Sequence, residues 1–90
     1  MPPVTIYTTS WCPYCKAAKA LLTRKGVAFT EIDVDGKPEL RRDMTARASG
    51  RTSVPQIFIG DTHVGGFDDM VALDRAGGLD PLLAGRADGA

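Results

Sequence analysis

The alternation of apolar and polar positions in the first part of the chain predicts a strand, a helix and a second strand. Residues 4–8 are β-branched and aromatic, which is typical of a strand. From Pro13 the apolar residues recur at helical spacing, and Gly26 is expected to end this amphipathic helix. Residues 27–34 then return to a strand pattern.

The middle of the chain predicts a helix followed by a hairpin. Pro38 suits the first turn of a second helix, and Gly50 is expected to end it. Residues 55–59 and 62–65 predict two short strands joined by the two-residue turn Gly60-Asp61. Strands joined by so short a turn pair antiparallel.

The chain closes with two predicted helices. Residues 68–76 form the first, and the second is expected to start with Asp80 as its N-cap and Pro81 at its first position. Residues 86–90 are expected to be a frayed tail. The order βαβαββαα, with a parallel first strand pair, predicts one α/β domain over residues 1–90: a small four-stranded mixed sheet flanked by helices.

The composition indicates a small protein without a strongly charged surface. Its 11 basic and 11 acidic residues give a formal net charge of zero, so no general attraction to nucleic acid or anionic membranes is expected. The N-terminus does not resemble a secretory signal, and no apolar run approaches the roughly 20 residues that span a bilayer. We expect a cytoplasmic monomer that binds neither nucleic acid nor membrane.

Both cysteines lie in one tetrapeptide, Cys12-Pro13-Tyr14-Cys15. A disulfide across so short a loop removes little entropy from the unfolded chain, so it is a poor structural crosslink. In a reducing cytosol such a pair is typical of redox chemistry. A structural zinc site needs about four ligands, and the only histidine, His63, lies apart in the predicted hairpin. We therefore expect a redox-active pair and no metal.

The tetrapeptide falls where the first strand passes into the first helix. Free N–H groups and the helix dipole stabilise negative charge there, so the pKa of the Cys12 thiol is expected to be low. Cys15 lies nearly one turn further on, on the apolar face. We expect an exposed Cys12 to attack and a sheltered Cys15 to resolve. A buried Cys12 would contradict this chemistry.

Two further segments are candidates for a cleft beside the cysteines. Pro55 either begins an edge strand or forms a cis peptide bond that presents the Val54 backbone to an extended ligand. Gly65-Gly66 either form a loose turn or let a ligand carboxylate approach the amides of a helix start. Asp68 either pairs with a ligand ammonium or, as we expect for Asp69, complements the helix dipole.

Together these motifs resemble those of bacterial dithiol glutaredoxins over nearly the whole chain. The matching segments are Cys12-Pro13-Tyr14-Cys15, Ser53-Val54-Pro55-Gln56-Ile57-Phe58-Ile59, Gly65-Gly66-Phe67-Asp68-Asp69, Leu73-Asp74 and Leu79-Asp80-Pro81-Leu82-Leu83. The resemblance implies a thioredoxin-like fold and an enzyme that reduces protein disulfides and glutathione mixed disulfides, with glutathione as co-substrate. It implies disulfide-bearing or glutathionylated proteins as partners, with ribonucleotide reductase as one candidate.

The resemblance also implies roles for individual residues. Cys12 would attack the mixed disulfide, and Cys15 would resolve it or stand aside while a second glutathione does so. Val54 would pair with the cysteinyl backbone of glutathione, and residues 66–68 would hold its γ-glutamyl end. The glutathione-binding set implied in this way is Thr9, Tyr14, Arg41, Ser53, Val54, Pro55, Gly66, Phe67 and Asp68.

Three positions depart from the family pattern. Thr9 stands where a lysine often meets the glycine carboxylate of glutathione, and Arg41 or Arg42 is expected to compensate. Phe67 replaces a third cysteine that is frequent in close relatives, which leaves a backbone amide contact intact. Ser53 replaces the usual threonine, a mild change.

Two alternative functions stay open. A thioredoxin-like protein reduced by a flavoprotein reductase is the nearest rival. Two features favour glutathione as the reductant instead: Tyr14, in place of the Gly-Pro pair typical of thioredoxins, and residues 65–68. The other is a carrier of an iron–sulfur cluster in a bridged dimer, with Cys12 and glutathione as ligands. Pro13 disfavours the carrier, because within the family this residue accompanies weak cluster binding.

Overall fold

The computed structural model describes residues 2–85 of the chain. Within them the elements are β1 (Val4–Thr8), α1 (Pro13–Arg24), β2 (Thr30–Asp33), α2 (Pro38–Arg47), β3 (Gln56–Ile59), β4 (Thr62–Gly65), α3 (Phe67–Arg75) and α4 (Leu79–Leu83). The tail predicted at residues 86–90 lies outside the described part. None of the helices in residues 2–85 has the length and apolar character that crossing a bilayer requires.

The four strands form one mixed sheet in the order β2-β1-β3-β4. Strand β1 runs parallel to β2, and β3 runs antiparallel to both β1 and β4. This confirms the predicted sheet and its parallel first pair. Because β1 and β3 are central and antiparallel, the end of β1 lies beside the start of β3, where Tyr7 is opposite Gln56.

The sheet buries an apolar core on each of its faces. The larger core packs beneath α1, α3 and α4 and consists of Val4, Ile6, Ala18, Leu21, Leu22, Val27, Ile57, Ile59, Met70, Leu79 and Leu83. The smaller core lies beneath α2 and consists of Tyr7, Val34, Met44, Ala48 and Phe58. Alternate residues of β1 and β3 serve opposite cores, as the period of a strand requires.

Several element boundaries differ from the predictions by one to three residues, and two of these differences have a clear local cause. Strand β2 begins at Thr30 rather than at residue 27, because the Val27 N–H is still bonded to the Leu22 carbonyl at the end of α1, over 3.1 Å. Helix α4 has Gly78 as its N-cap, so the prediction that Asp80 caps this helix is wrong. Asp80 lies inside the first turn instead, where a carboxylate still complements the helix dipole.

Helix α2 depends on one large apolar side chain. Met44 is its only buried residue between the helix ends, and the helix is otherwise rich in charge. We expect Met44→Ala to lower the free energy of unfolding by about 2–4 kcal/mol, because it leaves a cavity between α2 and the sheet. Urea unfolding measures this loss. Ala46→Gln on the exposed side of the same helix is the control, and an equal loss there would contradict the assignment.

Candidate active site

The sulfur of Cys12 caps the N-terminus of α1. Cys12 has an extended backbone with φ −119° and ψ 104°, and Pro13 is the first residue of the helix. The Cys12 Sγ accepts a hydrogen bond from the Cys15 N–H over 3.1 Å. The two cysteines are joined by a disulfide, with their Cα atoms 5.1 Å apart. The sulfur therefore lies where free amides and the helix dipole favour negative charge.

The exposure of Cys12 differs from the prediction. The residue is buried, with 7% of its surface exposed against 1% for Cys15, so the expectation of an exposed Cys12 is wrong for this disulfide-bonded form. The cause is the close packing around its sulfur, which is bonded to Cys15 and lies 3.8 Å from the Val54 carbonyl oxygen. Cys12 remains the more accessible of the two. Because its sulfur is already bonded to Cys15, this burial describes the oxidised form and not the thiolate whose burial would contradict the expected chemistry.

The Val54–Pro55 peptide bond is cis. Of the two interpretations left open by the sequence, the edge strand is wrong, because β3 pairs with β1 on one side and with β4 on the other. The Val54 backbone lies beside the disulfide, as the distance from its carbonyl to the Cys12 Sγ shows.

A bulge in β4 brings Gly65 and Gly66 next to the Val54–Pro55 segment. Ile57 lies opposite Gly65 and Phe58 opposite His63, so one residue of β4 has no counterpart on β3. Gly65 has φ +110°, and a Cβ there would lie 2.5 Å from the Asp69 Oδ2 and 2.8 Å from the Arg51 Nη1. Glycine is favoured here because L side chains rarely adopt this φ, and a Cβ would also displace the ends of the Asp69 and Arg51 side chains.

These segments enclose a shallow cavity of about 150 Å³ beside the disulfide. Its lining consists of Tyr14, Arg51, Ser53, Val54, Pro55, Gly66, Phe67, Asp68 and Asp69. The rings of Tyr14 and Phe67 stack at one side, with centroids 6.2 Å apart. The cavity therefore combines an aromatic wall, backbone groups and two carboxylates.

Comparison with known proteins identifies the family. The glutaredoxin family model matches residues 4–64. A glutaredoxin of Pseudomonas aeruginosa is 68% identical over 84 residues, which cover 93% of this chain and 99% of the relative. The chain belongs to the glutaredoxin family. Glutaredoxins are thiol-disulfide oxidoreductases, and this protein carries the cysteine pair of that chemistry.

Solved glutaredoxin structures share the fold. The solution structure of glutaredoxin from Brucella melitensis has a TM-score of 0.81 at 59% identity, covering 92% of this chain and 89% of that one. The crystal structure of a buckwheat glutaredoxin–glutathione complex has a TM-score of 0.81 at 29% identity, covering 92% and 77% respectively. The predicted thioredoxin-like fold is thereby confirmed.

The cavity of this glutaredoxin brings together most of the expected binding residues. Seven of the nine line it, whereas Thr9 and Arg41 are not in its lining. Arg41 instead donates to the Thr52 carbonyl oxygen over 3.1 Å and lines a neighbouring groove along α2. Within residues 2–85 no group of three or more potential ligands could hold a metal ion, and the expected lack of a metal stays a prediction.

Arg51 and Asp69 line the cavity although sequence reasoning gave them no binding role. The Asp69 carboxylate accepts from the Gly66 N–H over 2.8 Å and pairs with Arg51 over 3.1 Å. The pKa of Asp69 lies below its usual value of 3.8, mainly because of the bond from the Gly66 N–H and secondly because of the Arg51 guanidinium. A carboxylate three residues after an N-cap glycine is the available sequence signal. Arg51 lies in a loop and leaves no such signal.

We expect Asp69→Asn to lower stability at neutral pH, by a modest amount because the side chain of Asp69 is 46% exposed. The folded pKa lies below the unfolded one, so the stabilisation is complete above the unfolded pKa and is lost as pH falls through the folded pKa. The difference in urea midpoint between wild type and variant should be constant above about pH 5 and shrink below 3.8.

Arg51→Gln is the matched control for this pH dependence. It leaves the Gly66 N–H bond to Asp69 in place, which is the larger of the two influences on the carboxylate. The variant should therefore keep most of the pH dependence. A loss as complete as in Asp69→Asn would contradict this order of influences.

Proposed function

We propose that this glutaredoxin uses glutathione to reduce protein disulfides and glutathione mixed disulfides. One observation carries the proposal: the Cys12 sulfur, which caps α1 through the Cys15 N–H, lies 3.8 Å from the Val54 carbonyl at the edge of the cavity. A glutathionyl sulfur bonded to Cys12 would place its backbone along Val54. The buckwheat complex supports glutathione as the ligand.

In the monothiol reaction, the Cys12 thiolate attacks the glutathionyl sulfur of a mixed disulfide. The bond to the substrate protein breaks, and that protein leaves as a thiolate. A second glutathione thiolate then attacks the glutathionyl sulfur on Cys12, which releases oxidised glutathione and restores the Cys12 thiolate. The Cys15 N–H donates to the sulfur in the capped geometry, so it favours the thiolate that begins and ends this cycle.

In the dithiol reaction, the Cys12 thiolate attacks a protein disulfide and forms a mixed disulfide. Cys15 loses its proton to the departing thiolate or to solvent and attacks the Cys12 sulfur. The substrate leaves reduced, and the Cys12–Cys15 disulfide remains, which is the form described here. Two glutathione molecules then return the pair to the thiol state.

The cavity offers a place for each end of the glutathione molecule. The backbone groups of Val54 suit strand-like pairing with the cysteinyl residue. The Gly66 N–H is already bonded to Asp69, so the Phe67 N–H at the start of α3 suits the γ-glutamyl carboxylate, with Gly66 leaving space for its approach. The exposed Asp68 suits the γ-glutamyl ammonium. Tyr14 provides an apolar wall.

The glycine carboxylate needs a cation that Thr9 does not supply. The Arg41 guanidinium lies at the Thr52 carbonyl, two residues before Val54, which supports Arg41 as the compensating group. Disulfide-bearing and glutathionylated proteins are the proposed partners of the enzyme. A reducing cytoplasm is its proposed location, because glutathione is available there as a reductant.

The two cysteines are expected to respond differently to substitution. Cys12→Ser should lower both activities to background, because no attacking sulfur remains. Cys15→Ser should keep deglutathionylation of a glutathionylated peptide within a few-fold of wild type and lose dithiol reduction of a protein disulfide. Both are measured with glutathione and glutathione reductase, with thioredoxin reductase as the alternative electron donor. Equal losses in the two variants, or faster turnover with thioredoxin reductase, would contradict the proposal.

Asp68→Asn is expected to raise the apparent KM for glutathione by about 3–10-fold, the range of a charge-assisted contact at a partly exposed site. The measurement is initial rate against glutathione concentration. Asp61→Asn makes the same change of charge in the β3–β4 turn, outside the cavity lining, and should leave the KM unchanged. An unaltered KM in Asp68→Asn would remove this carboxylate from the site.

A further inference from the structure

A chain of hydrogen bonds through one buried side chain lies next to the Val54 loop. Gln56, the first residue of β3, is 0% exposed. Its Nε2 donates to the Ser53 carbonyl oxygen over 2.9 Å and lies 3.3 Å from the Ser53 Oγ. Its Oε1 lies 2.7 Å from the His63 Nε2. Both polar atoms of the buried amide therefore have partners, as burial requires.

These partners determine the orientation of the Gln56 amide. A carbonyl oxygen only accepts hydrogen bonds, so the Ser53 carbonyl must face the amide NH₂ group. The Oε1 atom also only accepts, so the His63 Nε2 must carry a hydrogen and donate it. Burial, and after it the Arg51 guanidinium, lowers the pKa of His63. This favours a neutral ring whose single hydrogen lies on Nε2.

The bond to Ser53 also sets the direction of the next N–H along the chain. The Ser53 carbonyl and the Val54 N–H belong to one planar peptide unit, and the cis bond follows it, between Val54 and Pro55. In a trans unit the carbonyl and the N–H point to opposite sides. Because the carbonyl is held toward the buried Gln56, the Val54 N–H is directed away from the core.

We propose that Gln56 is a positioning residue for glutathione binding, which holds the Ser53–Val54 peptide so that the Val54 N–H meets the backbone of the bound ligand. His63 acts through Gln56, because its Nε2–H donates to the Gln56 Oε1 and so keeps the amide NH₂ group facing the Ser53 carbonyl. The inference rests on the proposed function, since the ligand that pairs with Val54 is the glutathionyl group. It adds two residues that do not line the cavity.

Gln56→Met tests the inference, because it keeps the shape of the side chain and removes both hydrogen bonds. The apparent KM for a glutathionylated peptide should rise about five- to tenfold, the effect of one neutral hydrogen bond. The rate at which iodoacetamide alkylates reduced Cys12 should stay within twofold of wild type, because that reagent does not use the Val54 backbone. Circular dichroism and thermal unfolding monitor folding.

Ile59→Val is the control for a general loss of packing on the same strand. Ile59 is 1% exposed and belongs to the core on the other face of the sheet. Its substitution should lower stability without changing the KM. If Ile59→Val raises the KM as much as Gln56→Met does, the effect is general destabilisation and the inference is overturned.

His63 variants test whether this residue acts through Gln56. His63→Phe keeps a ring stacked on Phe58, whose centroid lies 4.8 Å from that of His63, and removes the donor. It should raise the KM by less than Gln56→Met does, and His63→Gln, which restores an N–H donor, should recover part of the loss. The double variant Gln56→Met/His63→Phe should be no worse than Gln56→Met alone. If the increases in KM from the two single substitutions add up in the double variant, His63 does not act through Gln56 and that part of the inference is overturned.

The activity of the wild-type protein distinguishes failure of the proposed function from failure of the role assigned to Gln56. If the wild-type protein does not turn over the glutathionylated peptide, the proposed function fails and this inference fails with it. If the wild type is active and Gln56→Met leaves the KM unchanged, only the inference is overturned. A higher KM together with equally slowed alkylation would show a disturbed Cys12 rather than a positioned Val54, and would also overturn it.

Discussion

The hydrogen bond from the Cys15 N–H to the Cys12 Sγ is the interaction on which the chemistry of this protein depends. It places the sulfur at the positive end of α1, where the Cys15 N–H of the first turn donates to it. The position of this sulfur is set by packing, because Cys15, Ala18 and Leu22 bury one side of α1 against the sheet. The core therefore determines where the sulfur lies, and the cap favours a thiolate at that place.

The rest of the site follows from the order of the strands. Strand β3 runs antiparallel to β1, so the start of β3 lies where β1 passes into α1, and this brings the Val54–Pro55 segment to Cys12. The bulge in β4 then turns Gly65 and Gly66 toward the same point. Segments separated by up to 54 residues in the sequence thus meet beside Cys12. They do so because β1 and β3 are adjacent and antiparallel, which puts the end of β1 next to the start of β3.

The sequence predicts this architecture well where local chemistry determines it. Pro13 after Cys12, and the glycine pair before α3, are local signals for a helix start, and the structure has both. The predicted start of β2 was wrong because the bond from the Val27 N–H to the Leu22 carbonyl extends the helix end one residue past Gly26, the residue that marks it in the sequence. The low exposure of Cys12 was also missed, since it depends on a contact with Val54, 42 residues away.

The two adjacent aspartates show how far such local reasoning extends. Both suit the first turn of α3, and the sequence leaves only Asp68 with a possible ligand role. In the structure Asp69 is held by the Gly66 N–H and Arg51, so its charge is already neutralised within the protein. Asp68 is exposed at the cavity and lies on the neighbouring side of the helix start. The N-cap geometry thus satisfies the Asp69 carboxylate within the protein, whereas the neighbouring Asp68 carboxylate is exposed to the cavity that both residues line.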